Sequence, residues 1–266
     1  MTRFVSPAAS ALWARIQADS PLGFGPLALS RHADGMDIRH RRDAEVDAAG
    51  LRCLPASELR AVAQSDALGR FRPNKASPGL VRGWRHLAAD AGALESALDD
   101  LLPGGLADWY SFRTCSTAPT RWQDFADRQT GMYRNVSGLS EPDVEQLARA
   151  GCHPSCCTRR RVWTVGDRPP ESEEGKTEVP CLEPCALVME LARRTEKAIT
   201  SEERSQLSLT QGDLAIIDLL IESALRHPDP SLREGDLSAL GNPRRILLLR
   251  ERLLPWLPNR DWIRGE

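Results

Sequence analysis

The sequence predicts an α+β protein, with a small antiparallel sheet and helices in the N-terminal region and a mostly helical, cysteine-bearing C-terminal region. Three observations predict it. In PLALSRHADGMDIRH, Leu27 and Leu29, then Met36 and Ile38, alternate with polar neighbours on either side of Ala33-Asp34-Gly35, the pattern of two strands joined by a turn. Beyond Gly105 strand patterns become scarce and apolar residues recur at helical spacing. Five of the seven cysteines fall between positions 152 and 185, where helix ends and loops are expected.

The elements follow in order. In MTRFVSPAASALWARIQADS, Ala8, Leu12 and Ile16 recur at helical spacing, so an amphipathic helix is expected rather than a signal peptide. The hairpin comes next. ASELRAVAQSD (56–66) reads as a short helix with Leu59, Val62 and Ala63 on one face. FRPNKASPGLVRGW (71–84), rich in Pro and Gly, reads as extended or looped. GALESALDDLL (92–102) returns to helical spacing and is stopped by Pro103-Gly104-Gly105. SEPDVEQLARAG (140–151) has Ser140 as N-cap, Pro142 and Asp143 in the first turn and Gly151 as a stop. The acidic, Pro-containing stretch 166–180 reads as a loop joining two cysteine groups. A helix is expected after Pro184, with Leu187, Val188 and Leu191 facing a core, and two more over 210–226 and 243–254, the last opened by Asn242 and Pro243. The expected organisation is an α+β domain over 1–108 and a helical cysteine-bearing domain over 109–266.

Composition narrows the function classes. The chain has 266 residues, 41% hydrophobic and 27% charged, with a formal net charge of −2, so a whole-molecule surface for nucleic acid or acidic membrane is not expected. No apolar run approaches the roughly 20 residues that span a bilayer. The expected compartment is the cytoplasm, whose reducing poise disfavours disulfides, so clustered cysteines point to metal or cofactor ligation.

The groups are Cys152-His-Pro-Ser-Cys156-Cys157 and Cys181-Leu-Glu-Pro-Cys185. A 4Fe–4S cluster needs four thiolates supplied by loops and helix ends that converge on one cuboid. A helix opening at Cys185 would aim N–H groups and a favourable dipole at the cluster sulfurs. Arg159, Arg160 and Arg161 add positive charge beside an anionic centre. The spacing is neither the ferredoxin run nor a CxxC…CxxC zinc ribbon, so on spacing alone cluster, zinc and unliganded thiols all stand. His153 is a minority alternative ligand. Cys53 and Cys115 lie outside the groups and are expected as small buried hydrophobes.

Along the chain, GMDIRH (35–40), GRFRPNKASPGLVRGWR (69–85), GGLADWY (104–110), GMYR (131–134), CTRRRVW (157–163) and PCLEPC (180–185) together carry a resemblance. The chain resembles the C-terminal part of long bacterial CbiX-type sirohydrochlorin cobaltochelatase proteins, which add a stabilising domain and a 4Fe–4S-binding domain after the chelatase. The resemblance runs from about position 20 to at least 190. It implies cluster ligands at Cys152, Cys157, Cys181 and Cys185, with Cys157 matching the cysteine of CxxRRxW. The adjacent Cys156 departs from the pattern and competes for that corner. It also raises cluster over zinc.

A chelatase core of the doubly wound kind, with paired metal-binding histidines, is not found in the sequence. His32, His40, His86, His153 and His227 are scattered. The expectation is an iron–sulfur accessory protein of cobalamin or sirohydrochlorin metabolism with a redox or electron-transfer role, not itself a chelatase. Its expected partner is a tetrapyrrole-pathway enzyme such as a separate chelatase, or a redox protein. The alternatives are a redox- or oxygen-sensing regulatory module and a zinc-stabilised interaction domain. Arg113, Arg121, Arg128 and Arg134, with Tyr110, Trp122 and Tyr133, could hold tetrapyrrole carboxylates, but packing and surface roles are the favoured reading. Trp163 is expected to shield the cluster from water.

Overall fold

A computed structural model describes residues 5–63, 80–167, 177–200, 208–227 and 242–257. The chain forms two compact units. The first contains residues 1–121 and 157–183, and the second contains residues 122–156 and 184–266. Residues 1–108 therefore all belong to the first unit, while 109–266 are shared between both. Most of the acidic loop (168–176) and the first part of the Pro/Gly-rich stretch (71–79) lie outside the described residues.

The first unit opens with α1 (Pro7–Ala18), capped by the Ser6 hydroxyl on Ala9 N, with Ala9, Leu12 and Ile16 buried. Strands β1 (Leu22–Phe24), β2 (Leu27–His32) and β3 (Gly35–His40) form an antiparallel meander in which Leu29 pairs Ile38 and Leu27 pairs His40. Only Ala33 and Asp34 separate β2 from β3, and Gly35 follows with φ 144°, where an added Cβ would collide with the Ala88 carbonyl. The short strand β4 (Arg52–Cys53) and α2 (Ala56–Ala63) precede β5 (Trp84–Ala88). The sheet order is β1-β2-β3-β5-β4, antiparallel except for the β4–β5 pair. The sequence did not single out β5. Its inward residues Trp84, His86 and Ala88 alternate with Arg85 and Leu87, a pattern hidden by a histidine at a buried position. Helices α3 (Ala91–Leu101) and α4 (Gly105–Arg113) pack with α1, and Trp109 meets Phe24 edge to face at 6.3 Å.

Charged groups are buried in this unit as pairs, as burial requires. Asp37 receives two bonds from Arg39, Nε at 3.2 Å and Nη2 at 2.6 Å. Asp43 accepts from Arg82 and from Gly83 N, which hold its carboxyl below the ordinary range against the opposing effect of burial. Burial pushes His40 down to about 4, while its Nδ1 accepts from Arg42 N.

The second unit is helical. It contains α5 (Trp122–Asp127), a 3-10 segment (Gly131–Gly138) and α6 (Glu141–Gly151). Two short strands of the first unit intervene in the chain, β6 (Arg160–Arg161) and β7 (Pro180–Cys181), before α7 (Ala186–Thr200), α8 (Gln211–Arg226) and α9 (Pro243–Leu253). Helix α6 packs on α7 and α9, α7 on the 3-10 segment, and α8 on α9. Ser140 caps α6 at Asp143 N, and Thr210 and Asp213 form a capping box on α8. A Cβ at Gly151 would stand 3.2 Å from Val188, so glycine lets the end of α6 lie close against α7.

Candidate metal centre

All seven cysteines are thiols, none joined in a disulfide. The five clustered ones are divided between the units: Cys157 and Cys181 in the first, Cys152, Cys156 and Cys185 in the second. Each unit holds its share by different means.

In the first unit, β6 runs parallel to β7, with Arg160 opposite Pro180 and Arg161 opposite Cys181. The backbone bonds Arg160 N to Val179 O (2.9 Å) and Val162 N to Cys181 O (3.2 Å) fix that register. The residues before Cys181 are built into the sheet region. Thr177 Oγ1 accepts from Gly25 N at 2.9 Å and donates to Thr158 O at 2.8 Å. Glu178 accepts from Arg15 Nη2 at 2.9 Å and Trp109 Nε1 at 3.1 Å, bonds that keep its carboxyl below the ordinary range although burial pulls the other way. Val179 is completely buried in the core with Phe24, Leu27 and Trp109. Cys157, half-buried, precedes β6 with its thiol 3.9 Å from Arg159 O, and Cys181 directs its thiol to Glu183 O at 3.1 Å.

The three arginines after Cys157 find neighbours in this unit. Arg159 pairs Asp108 at 3.1 Å, Arg160 lies 6.0 Å from the Phe112 ring, and Arg161 stacks 4.9 Å over Trp163. Trp163 is completely buried.

In the second unit the cysteines sit at helix ends. Cys152 caps α6, its N–H bonded to Ala148 O. The loop turns back at Cys156 N to His153 O (2.8 Å), and His153 Nδ1 accepts from Ser155 N. Cys152 and Cys156 are buried; Ser155 Oγ lies 3.5 Å from Cys156 Sγ. Cys185 immediately precedes α7, and its carbonyl accepts from Met189 N, the first helical bond. Arg244, buried at the start of α9, donates from Nε to Gly151 O at 3.2 Å and from Nη2 to Cys156 O at 2.5 Å. Sequence reasoning missed Arg244, because its partners lie 93 and 88 residues away.

The donor set fits a 4Fe–4S cluster in kind and number, with four thiols at loop positions and helix ends and a fifth, Cys181, at the end of β7. Among the described residues, no three His, Cys, Asp or Glu side chains are drawn together as a metal-holding group. Cys53 and Cys115 are exposed, which corrects the expectation that both are buried. Cys53 lies on the two-residue edge strand β4, and Cys115 follows the end of α4 with φ 54°.

The arginines weighed for carboxylate binding have local neighbours. Arg113 lies over Trp109, Arg121 pairs Asp167 at 2.5 Å, and Arg128 donates to Asp124 O. Trp122 is buried and Tyr133 half-buried, in keeping with packing roles.

Residues 115–194 match the family model of a 4Fe–4S iron–sulfur cluster binding domain. Residues 9–113 match the model of the DR2241 stabilising domain. Among solved structures, the chain is similar to DR2241 from Deinococcus radiodurans, with 25% identity and a TM-score of 0.55. That protein is described as multi-domain, with structural similarity to chelatases and two additional novel domains. The match covers 73% of this chain and 42% of that one, so this chain spans less than half of its length. No curated protein matches the chain.

Proposed function

We propose that the chain is an iron–sulfur accessory protein of tetrapyrrole metabolism, in the cobalamin or sirohydrochlorin branch, with a redox or electron-transfer role rather than a chelatase reaction of its own. The observation that carries this reading is that the cluster-domain match, residues 115–194, contains all five clustered cysteines. Cys152, Cys157, Cys181 and Cys185 are the proposed ligands. Cys156 is the proposed spare, because Cys157 is the cysteine that matches CxxRRxW in the resemblance. When bound, a 4Fe–4S cluster supplies a one-electron couple whose potential its hydrogen bonds and burial tune. The tetrapyrrole assignment rests on the resemblance to CbiX-type proteins and on the chelatase-like similarity of DR2241, and it is an analogy of fold.

The proposed partner is a separate chelatase or another tetrapyrrole-pathway enzyme. An untethered pair working at micromolar levels needs a Kd near or below about 1 µM, about 8 kcal/mol of binding free energy. Anaerobic purification with iron, sulfide and zinc analysis tests the cofactor: brown protein with about four irons and four sulfides is expected. Zinc without iron would replace this reading with a zinc-stabilised module. With the cluster intact, no cobalt or iron insertion into sirohydrochlorin is expected, and a pull-down should recover a tetrapyrrole-pathway enzyme. Failure of the pull-down would move the role to redox or oxygen sensing.

A further inference from the structure

We infer that Arg244 is a positioning residue for the cluster, setting the geometry of the loop that carries Cys152 and Cys156. This inference rests on the proposed function. Arg244 lies in α9, outside the 115–194 segment matched by the cluster-domain model. Its backbone is fixed first. Asn242 is completely buried, its Oδ1 accepts from Arg244 N at 3.1 Å, and Pro243 opens the helix. The side chain is then only 2% exposed, which desolvates the guanidinium and makes each of its hydrogen bonds count.

Two of its acceptors, Gly151 O and Cys156 O, flank the loop. Gly151 O, at the end of α6, is one of the last-turn carbonyls that a helix cannot satisfy itself, and a cation there also complements the helix dipole. Cys156 O lies beyond the Cys152-His153-Pro154-Ser155 turn. One rigid fork therefore closes the loop at both ends and fixes the peptide planes next to Cys152 and to the Cys156–Cys157 bond. A lysine ammonium lacks the planar fork whose Nε and Nη2 each meet one of the two carbonyls. The guanidinium also places a permanent positive charge beside the thiolate-bearing loop, which favours the more negative, reduced state of a bound cluster.

The test uses the full chain, reconstituted anaerobically, as wild type, Arg244→Met, Arg244→Lys and Leu247→Ala. Leu247 is buried in the same helix, so its truncation weakens α9 without removing the clamp. Iron release to a ferrous chelator, the electron paramagnetic resonance spectrum and the midpoint potential are read per folded molecule. Arg244→Met is expected to release iron about tenfold or more faster, the usual scale for losing an outer-shell partner. It should also show an altered spectrum and a lower potential. Arg244→Lys should restore the potential but only part of the retention, and Leu247→Ala should behave as wild type. Equal release from Leu247→Ala and Arg244→Met, or a wild-type spectrum and potential in Arg244→Met, would overturn the inference while leaving the cluster in place. A wild-type chain that takes up no iron and sulfide would instead remove the proposed function, and this inference with it.

Discussion

The two units hold cysteines by contrasting physics. In the first, Cys181 follows directly on residues woven into a sheet domain: Thr177 is bonded to Gly25, Glu178 to Arg15 and Trp109, and Val179 lies in the core. Its position is inherited from strand register and from side chains more than 60 residues away in sequence. In the second, Cys152 and Cys185 are set by where α6 stops and α7 starts, so helix capping does the placing, with Arg244 as the long-range addition. Charge is distributed differently too. The first unit buries Asp37 and Asp43 against arginines, while the second buries Asp218 and Arg244 and places Glu190 between Arg193 and Arg194 on one face of α7. Thiols held by register should be displaced when the distant sheet is damaged, and thiols held by helix ends only when the helices themselves are disturbed.

The largest expected effect separates two neighbours that fall on opposite sides of the division. Cys157→Ser should abolish cluster binding, while Cys156→Ser should retain most of it, because serine keeps the size but is a far poorer ligand for iron. Iron and sulfide per chain are the measurement. Equal loss from both, or loss from Cys156→Ser alone, would overturn the assignment of that corner to Cys157.

Acid should strike the first unit before the second. His40 has a native value of about 4, set chiefly by burial, with Asp43 opposing and Arg42 and Arg82 assisting. Its unfolded value is about 6.5, so the contribution is complete above that and is lost as pH falls from about 6.5 to 4, by up to about 3 kcal/mol. Asp43, Glu178 and Glu190 have lowered values, so their contributions are lost only at lower pH, below their unfolded values near 4. Hydrogen exchange at pH 7.5 and 5 should show protection falling in β2 and β3 more than in α6 and α7. His40→Asn, whose Oδ1 can replace Nδ1 as the acceptor for Arg42 N, should flatten that difference, and an unchanged pH profile in the variant would rule His40 out as its source.

Val179→Ala should cost about 2 kcal/mol, the scale for deleting methyl groups from a tight core. The loss should appear in β2, β3 and α1, although the residue belongs to the cysteine-bearing segment. Loss of protection confined to α6 and α7 would contradict the inherited-register picture. The smallest effect belongs to Glu190→Gln. Its partners hold Glu190 near 2, but all three side chains remain partly exposed, so about 0.5 kcal/mol at neutral pH is expected. Thermal melting against the wild type measures it.

Local signals were readable where local physics decides. Ser140 and Gly151 bounded α6, Asn242 and Pro243 opened α9, and the alternation around Ala33-Asp34 marked the β2–β3 hairpin. The helix expected after Pro184 starts at Ala186. What could not be read was long-range. Helix α4 begins at Gly105, inside the Pro-Gly-Gly stop, because the break that ends α3 also starts the next helix from a left-handed Gly104. Strands β6 and β7, two residues each, are too short to show a period. The return of Cys157–Glu183 to the first unit depends on Thr177 and Glu178, ordinary polar residues whose partners Gly25, Arg15 and Trp109 lie 69 to 163 positions away. The cysteine groups stood out by composition, but nothing in their spacing said that the units would divide them.

That return has a consequence for how the protein is made. The stabilising-domain match ends at residue 113, yet the core it describes includes Val179, and Gly25 N takes its partner from Thr177. The ribosome must add 70 more residues, from 113 to 183, before the first unit has all its parts, about 4 to 14 s at 5 to 20 residues per second. Through that interval the nascent sheet is missing part of its core, and the second unit's α5 and α6 are already synthesised before the first can close. A gene fragment cut at the family boundary would yield a chain frozen at that unfinished stage.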